Sequence, residues 1–304
     1  MPNLLALQRD SSPDVHSLRE WGQIEDPGEV QRVLDRIQAT THLDVYKCAE
    51  LYELAYPGYE GDLDYYLEKG VNGHVLYLGV GAGRIFSHLA QENPDAIGID
   101  NSPEMLELLR RRHPHVQNRQ VMLADAVTEQ FPESHFDSVV APYSFLQVVE
   151  EKQLSPLLKN VHRSLKPGGQ FHTDTFSPYL IPFQKPGLEA SIRRIGMDTR
   201  VAIFVLYDHL KQAMKEMALI CRDGDEKMTE MDLQYYFPRE LIAAMEDAGF
   251  EDVKVSGGYQ GEPFNPIENE VLVYEARRAV EEPVHRQSPS GNGRKTVGGN
   301  GSHS

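Results

Sequence analysis

The chain has 304 residues, 40% of them hydrophobic, which is enough to bury the core of one large domain or two small ones. Lys and Arg total 30 against 46 Asp and Glu, a formal charge of −16, so the surface field opposes phosphate backbones and anionic lipid. The longest apolar run, Val201 to Tyr207, is far too short to span a bilayer, so neither a nucleic-acid nor a membrane partner is expected.

Residues 1–27 are polar and irregular and read as a lead-in, and the opening "MPNLLALQRD" lacks the basic and apolar regions of a signal peptide. From Pro27 to Tyr56 apolar residues recur at helical spacing: Val30, Val33, Leu34 and Ile37, then Leu43, Tyr46, Ala49, Leu51 and Tyr52. A tyrosine-rich stretch, "LYELAYPGYEGDLDYYLEKG", follows. After it, strands are predicted at 74–78, 95–99, 119–123, 136–141 and 169–175. Helices fit at about 83–92, 103–113, 151–165 and 238–248. This alternation predicts an α/β fold, a doubly wound and mostly parallel sheet with helices on both faces. Between residues 177 and 237 the pattern changes, and "RVAIFVLYDHL", "KQAMKEMALIC" and "MTEMDLQYYF" have strand character. This insertion predicts a small antiparallel layer. Residues 281–304, rich in Gly, Ser and Pro, read as a disordered tail. The two cysteines, Cys48 and Cys221, form no motif and point to a reducing, cytoplasmic setting.

The first predicted strand ends in glycines at alternate positions, "VLYLGVGAGR", with Gly79, Gly81 and Gly83. Glycine lets the backbone turn sharply and approach a ligand with no Cβ in the way. In a doubly wound sheet ligands bind at the carboxyl ends of the strands, and the helix that follows offers free N–H groups. A dinucleotide fingerprint wants G-x-G-x-x-G, and here Arg84 stands where its third glycine would fall. The Gly-Lys-Ser/Thr ending of a P-loop is absent. The second strand ends in "GIDNSPEML", and Asp100 there can accept from both hydroxyls of a ribose. Ser102 and Pro103 supply a helix start. The third ends in "LADA", where Asp125 can accept from an adenine amino group. No spacing of His, Cys and carboxylates suggests a metal.

The ordered series "VLYLGVGAGR", "GIDNSPEML", "LADA", "FDSVVAPYSFLQV" and "LKPGGQF" resembles class I S-adenosylmethionine-dependent methyltransferases over residues 74–175, and "GFEDVKVSGGYQ" with "ENEVLVYEARR" resembles the last two strands of that fold. The resemblance implies a seven-stranded, Rossmann-like sheet with an antiparallel insertion covering the substrate. Its cofactor would be S-adenosyl-L-methionine and its acceptor a nitrogen or oxygen of a small molecule. Gly79, Gly81 and Gly83 would cradle the methionine part and Asp100 the ribose, with Asn101, Met105 and Ala126 also in contact with the cofactor. Asp125 would meet the adenine, the backbone at Ala141 the amino group, and Tyr52 would lie over the cofactor. Tyr143, Asp174 and Tyr59 are the catalytic candidates. In place of the acidic residue that the family usually carries two positions before the first glycine stands Tyr77, expected beside the cofactor's ammonium. His172 reads as a core histidine on the face of Asp174. Two alternatives stay open: a nicotinamide-dependent oxidoreductase, and a non-catalytic cofactor-binding protein on the same fold.

Overall fold

The computed structural model describes residues 42–181 and 198–280, with 188–195, 20–24 and the isolated positions 28, 31, 35, 39 and 40. The predicted tail at 281–304 and most of the lead-in lie outside the described residues.

The chain runs β1 (Glu20–Ile24), β2 (His42–Asp44), α1 (Ala49–Ala55), α2 (Asp62–Gly70), β3 (Val75–Leu78), α3 (Phe86–Glu92), β4 (Ile97–Asp100), α4 (Pro103–Arg112), β5 (Val121–Leu123) and β6 (Phe136–Ala141). It continues α5 (Glu151–Ser164), β7 (Leu165–Phe176), β8 (Leu188–Ile195), β9 (Thr199–Asp208), β10 (Ala213–Arg222), β11 (Asp225–Gln234), α6 (Pro238–Asp247), β12 (Phe250–Ser256) and β13 (Val271–Arg278). Seven strands form one sheet in the order β12-β13-β7-β6-β3-β4-β5. Neighbours are parallel from β7 to β5, and β13 runs antiparallel to both β7 and β12. The order reverses beside β3, so the carboxyl ends of β3 and β6 open a crevice there.

Period-2 alternation sorts the core onto the two faces. Leu76 and Leu78 of β3 pack with α5 and α6, through Leu157, Val161, Leu241 and Met245. Val75 and Tyr77 point the other way, among Tyr66 of α2, Phe86 and Leu89 of α3 and Leu109 of α4. Burial of these side chains, worth about 1.5–3 kcal/mol each, holds the three layers together.

A second sheet, β1-β8-β9-β10-β11-β2, is antiparallel except where β2 joins β11. Strands β8 to β11 are the antiparallel layer expected of the insertion. Its two outer members come from elsewhere, and each corrects the sequence reading. Residues 20–24, inside the supposed lead-in, pair with β8 as an edge strand. His42–Asp44, read as helical, pair with β11. Helical periodicity persists across residues 43–52 because Tyr46, Ala49 and Tyr52 all reach the same interior. The β2 backbone takes the hydrogen bonds that the edge of β11 offers instead.

Candidate active site

Three elements meet at the end of β3. The glycine turn folds back, and the amides of Gly79 and Val80 both donate to the Ile99 carbonyl at 2.9 and 3.0 Å. Gly79 has φ +72° and Gly81 φ +54°, the left-handed region that favours glycine. A Cβ at Gly79 would strike the Phe145 ring at 2.6 Å, whereas nothing lies within 4 Å of a Cβ at Gly81, which faces open space. Asp100, at the end of β4, fixes the turn. One carboxylate oxygen accepts the Gly81 amide at 2.8 Å, and the other the Ser102 amide at 2.9 Å. Each oxygen keeps a second lone pair for a ligand hydroxyl. Burial pushes the Asp100 carboxyl up, opposed by these backbone donors.

Ser102 caps α4 by accepting the Met105 amide and also donates to the Tyr46 carbonyl at 2.7 Å. That bond ties the turn before α1 to α4. Ion pairs Glu50–Arg111 and Glu53–Arg112 clamp the two helices further along. So Tyr46 and Tyr52 are held above the end of β4.

The result is a cleft of about 220 Å³. Gly79, Gly81, Asp100 and Asn101 line its polar end. Ile99, Met105, Ala126, Val127, Phe145, Val148 and Val149 form an apolar slot, with Asp125 at the rim. Tyr46, Tyr52 and Tyr143 close the remaining side. Asp125 accepts the Val127 amide at 2.9 Å and is otherwise exposed, so it turns the chain and still offers lone pairs to the slot.

The structure therefore brings Tyr52, Gly79, Gly81, Asp100, Asn101, Met105, Asp125, Ala126 and Tyr143 to one cleft. It places five other sequence candidates elsewhere. Gly83 packs against α4, where a Cβ would meet Leu109 at 2.9 Å. Ala141 is fully buried, its carbonyl accepting from Thr173 at 2.7 Å, and the cleft wall is made one residue on, by Pro142. Tyr77 is buried edge-on to Phe86, 5.5 Å between ring centres, because alternation along β3 turns it away from the cleft.

Asp174 and Tyr59 stand behind the wall rather than in it. Tyr143 and Ser144 both have left-handed backbones, φ 57° and 58°, which is rare for side chains of this kind. Both amides point at Asp174, donating to separate oxygens at 2.8 and 2.7 Å. The Tyr66 hydroxyl adds a third donor at 2.6 Å. Burial still dominates and pushes the Asp174 carboxyl up to about 6. Asp174 is thus a positioning residue that holds Tyr143 in a strained turn. Tyr59 packs on Tyr143, 5.0 Å between ring centres, with its hydroxyl 3.4 Å from Ser144 Oγ. Arg84 covers Tyr143 at 5.6 Å and forms a two-pronged pair with buried Asp62.

Sequence reasoning missed Tyr46, whose helical spacing hid it, and the apolar wall of Phe145, Val148 and Val149 from the turn after β6. It also missed Tyr66, a member of the tyrosine-rich stretch with no motif around it.

The group that such a cleft fits has a hydroxyl-bearing ring, a flat apolar ring and a short polar tail. Asp100, the slot from Ile99 to Val149 and the open space over Gly81 match those parts in order. Residues 75–169 match the family model described as a methyltransferase domain. A cypemycin N-terminal methyltransferase from a Streptomyces species is 28% identical over 208 residues, 66% of this chain and 81% of that protein. The CcbJ methyltransferase of Streptomyces caelestis superposes with a TM-score of 0.68 at 20% identity, covering 78% of this chain and 99% of the other. CalS10 from Micromonospora echinaspora, an amino pentose methyltransferase solved with its S-adenosylmethionine, gives 0.54 at 19% identity, covering 82% and 97%. The relatives decide for methyl transfer over hydride transfer. With its glycine turn and Asp100 inside residues 75–169, the chain carries a methyltransferase domain, and its fold is that of S-adenosylmethionine-dependent methyltransferases.

Proposed function

We propose that the enzyme methylates a nitrogen or oxygen of a small molecule held between the tyrosine wall and the second sheet. One observation carries the reading: Tyr46, Tyr52 and Tyr143 line the cofactor cleft on one side and pack against β9–β11 on the other. The cleft wall that an acceptor would approach is therefore made of aromatic rings backed by a sheet. Such a space suits a small acceptor, and the chain's charge of −16 disfavours a nucleic acid. The cypemycin relative adds a precedent for nitrogen.

When bound, S-adenosylmethionine supplies an activated methyl group, so the protein's task is alignment and exclusion of water. Asp100 would hold the ribose hydroxyls and Asp125 the adenine edge. Gly81 leaves room for the methionine part. Tyr143, fixed through its amide by Asp174, would set the position of the acceptor. Burial pushes the hydroxyls of Tyr46, Tyr52 and Tyr59 well up, so they stay protonated and serve as hydrogen-bond donors rather than bases. Cys48 and Cys221 are not joined in a disulfide, which accords with a cytoplasmic enzyme.

The test uses S-adenosylmethionine labelled in its methyl group, with a cell extract split by size. Label in the fraction below about 1 kDa supports the reading. Label confined to protein or nucleic acid overturns it.

A further inference from the structure

The slot of the cleft that runs from Ile99 to Val149 is apolar apart from two side chains, Asp125 and Gln153. They come from different strand ends: Asp125 from the turn after β5, and Gln153 from the first turn of α5, beyond β6. Leu154, Leu157, Leu158 and Val161 hold α5 against the main sheet, and Gln153, beside them, is half-buried in the cleft wall. A glutamine at the third position of a helix commonly turns back to accept the backbone N–H of the residue that caps it. Here Glu150 makes no side-chain cap, and the Gln153 side chain has no hydrogen-bond partner among the described residues. Its backbone amide donates to the Glu150 carbonyl at 2.8 Å and keeps the residue in the helix. An amide group set in an apolar wall loses hydration, and the loss stays uncompensated until a ligand supplies the bonds.

We propose that Gln153 reads the adenine ring of the cofactor and selects it over other flat rings that the slot would accept. This rests on the methyltransferase reading above and assigns a specificity residue within it. The amino group of adenine donates, and the ring nitrogens to either side of it, N1 and N7, accept. A carboxylate only accepts, so Asp125 can take the amino group but leaves the ring nitrogens unpaired. A glutamine amide has a donor and an acceptor side by side and matches the donor–acceptor pair along an adenine edge. Apolar walls alone discriminate little among rings of one shape, whereas a hydrogen-bonding group rejects a ring that lacks the matching atom. Phe145 and Val149, from the turn before α5, surround the amide with apolar surface, where such a bond counts for more than in water.

The test is calorimetry with S-adenosylhomocysteine and two analogues in which carbon replaces N1 or N7 of the adenine. Wild-type protein should bind one of the two analogues at least about fivefold more weakly than S-adenosylhomocysteine, the loss of one hydrogen bond. In Gln153→Leu, S-adenosylhomocysteine itself should bind about fivefold more weakly, and the penalty on that analogue should vanish. The same comparison in Gln153→Glu, which keeps the length and loses the donor, should give the same result. Equal binding of all three ligands by wild type overturns the proposal. So does a penalty that survives in both variants, which is what a merely structural residue would give. Failure of S-adenosylhomocysteine to bind wild type would instead count against the methyltransferase reading itself.

Discussion

The Gly81 amide donates to Asp100 Oδ2 at 2.8 Å, so the carboxylate proposed to hold the ribose also holds the glycine turn beside it. Asp100→Ala removes both functions at once. Cofactor binding should weaken by about 1.5–3 kcal/mol, the loss typical of hydrogen bonds to a charged acceptor. Asp100→Asn keeps one carbonyl oxygen and should lose less. Calorimetry with S-adenosylhomocysteine checks both; an unchanged Kd in folded Asp100→Ala would remove Asp100 from the site.

Tyr77→Glu tests the family comparison at the position where a carboxylate is usual. Tyr77 is 4% exposed and lies in the packing of α2 and α3. A glutamate there buries a charge and leaves a cavity where the ring was. We predict a loss of several kcal/mol of stability and no gain in cofactor affinity. A stable variant that binds the cofactor more tightly would return position 77 to the cleft.

Arg84 and Asp62 form a pair whose carboxylate is 1% exposed, while the guanidinium is partly open to solvent. Arg84→Ala strands a buried carboxylate and should cost about 2–3 kcal/mol, below the range for fully buried pairs. The double variant Asp62→Ala with Arg84→Ala should lose less than the sum of the singles. Additive losses in denaturant titrations would mean that the pair is not coupled.

Asp174 predicts a signature in pH. Its carboxyl is raised by burial to about 6, against an unfolded value near 3.8. Between these values the folded chain binds the proton more tightly, so stability falls as pH rises from about 4 to about 6 and then levels. The contribution is about 3 kcal/mol across that window. Asp174→Asn removes it, so the stability advantage of wild type over the variant should shrink as pH rises. A carboxyl resonance of Asp174 titrating below pH 4, or a pH-independent difference, would contradict the burial assigned to it.

Most of the main sheet is legible in the sequence, because its signals are local. A strand ending in Gly79, a helix capped by Ser102 and an acidic residue at each of two strand ends are contiguous along the chain. The cleft residues from Gly79 through Asp125, proposed to hold the cofactor, are legible for the same reason. The catalytic side is not. Asp174 has a strand-end position like that of Asp100, and only the turn at Tyr143 and Ser144, some 30 residues away in sequence, shows that its oxygens are already taken. Strand β2 is hidden for a related reason: the edge of β11 that recruits it lies almost two hundred residues later.

Whether the crevice at the ends of β3, β4 and β6 holds the cofactor, with its reactive end toward the tyrosines, is measured directly by a crystal structure with S-adenosylhomocysteine bound. We predict ribose hydroxyls on Asp100, the adenine between Met105 and Phe145, and the sulfur facing Tyr143. Ligand density elsewhere, or an adenosine reversed so that the sulfur points away from Tyr46, Tyr52 and Tyr143, would contradict it.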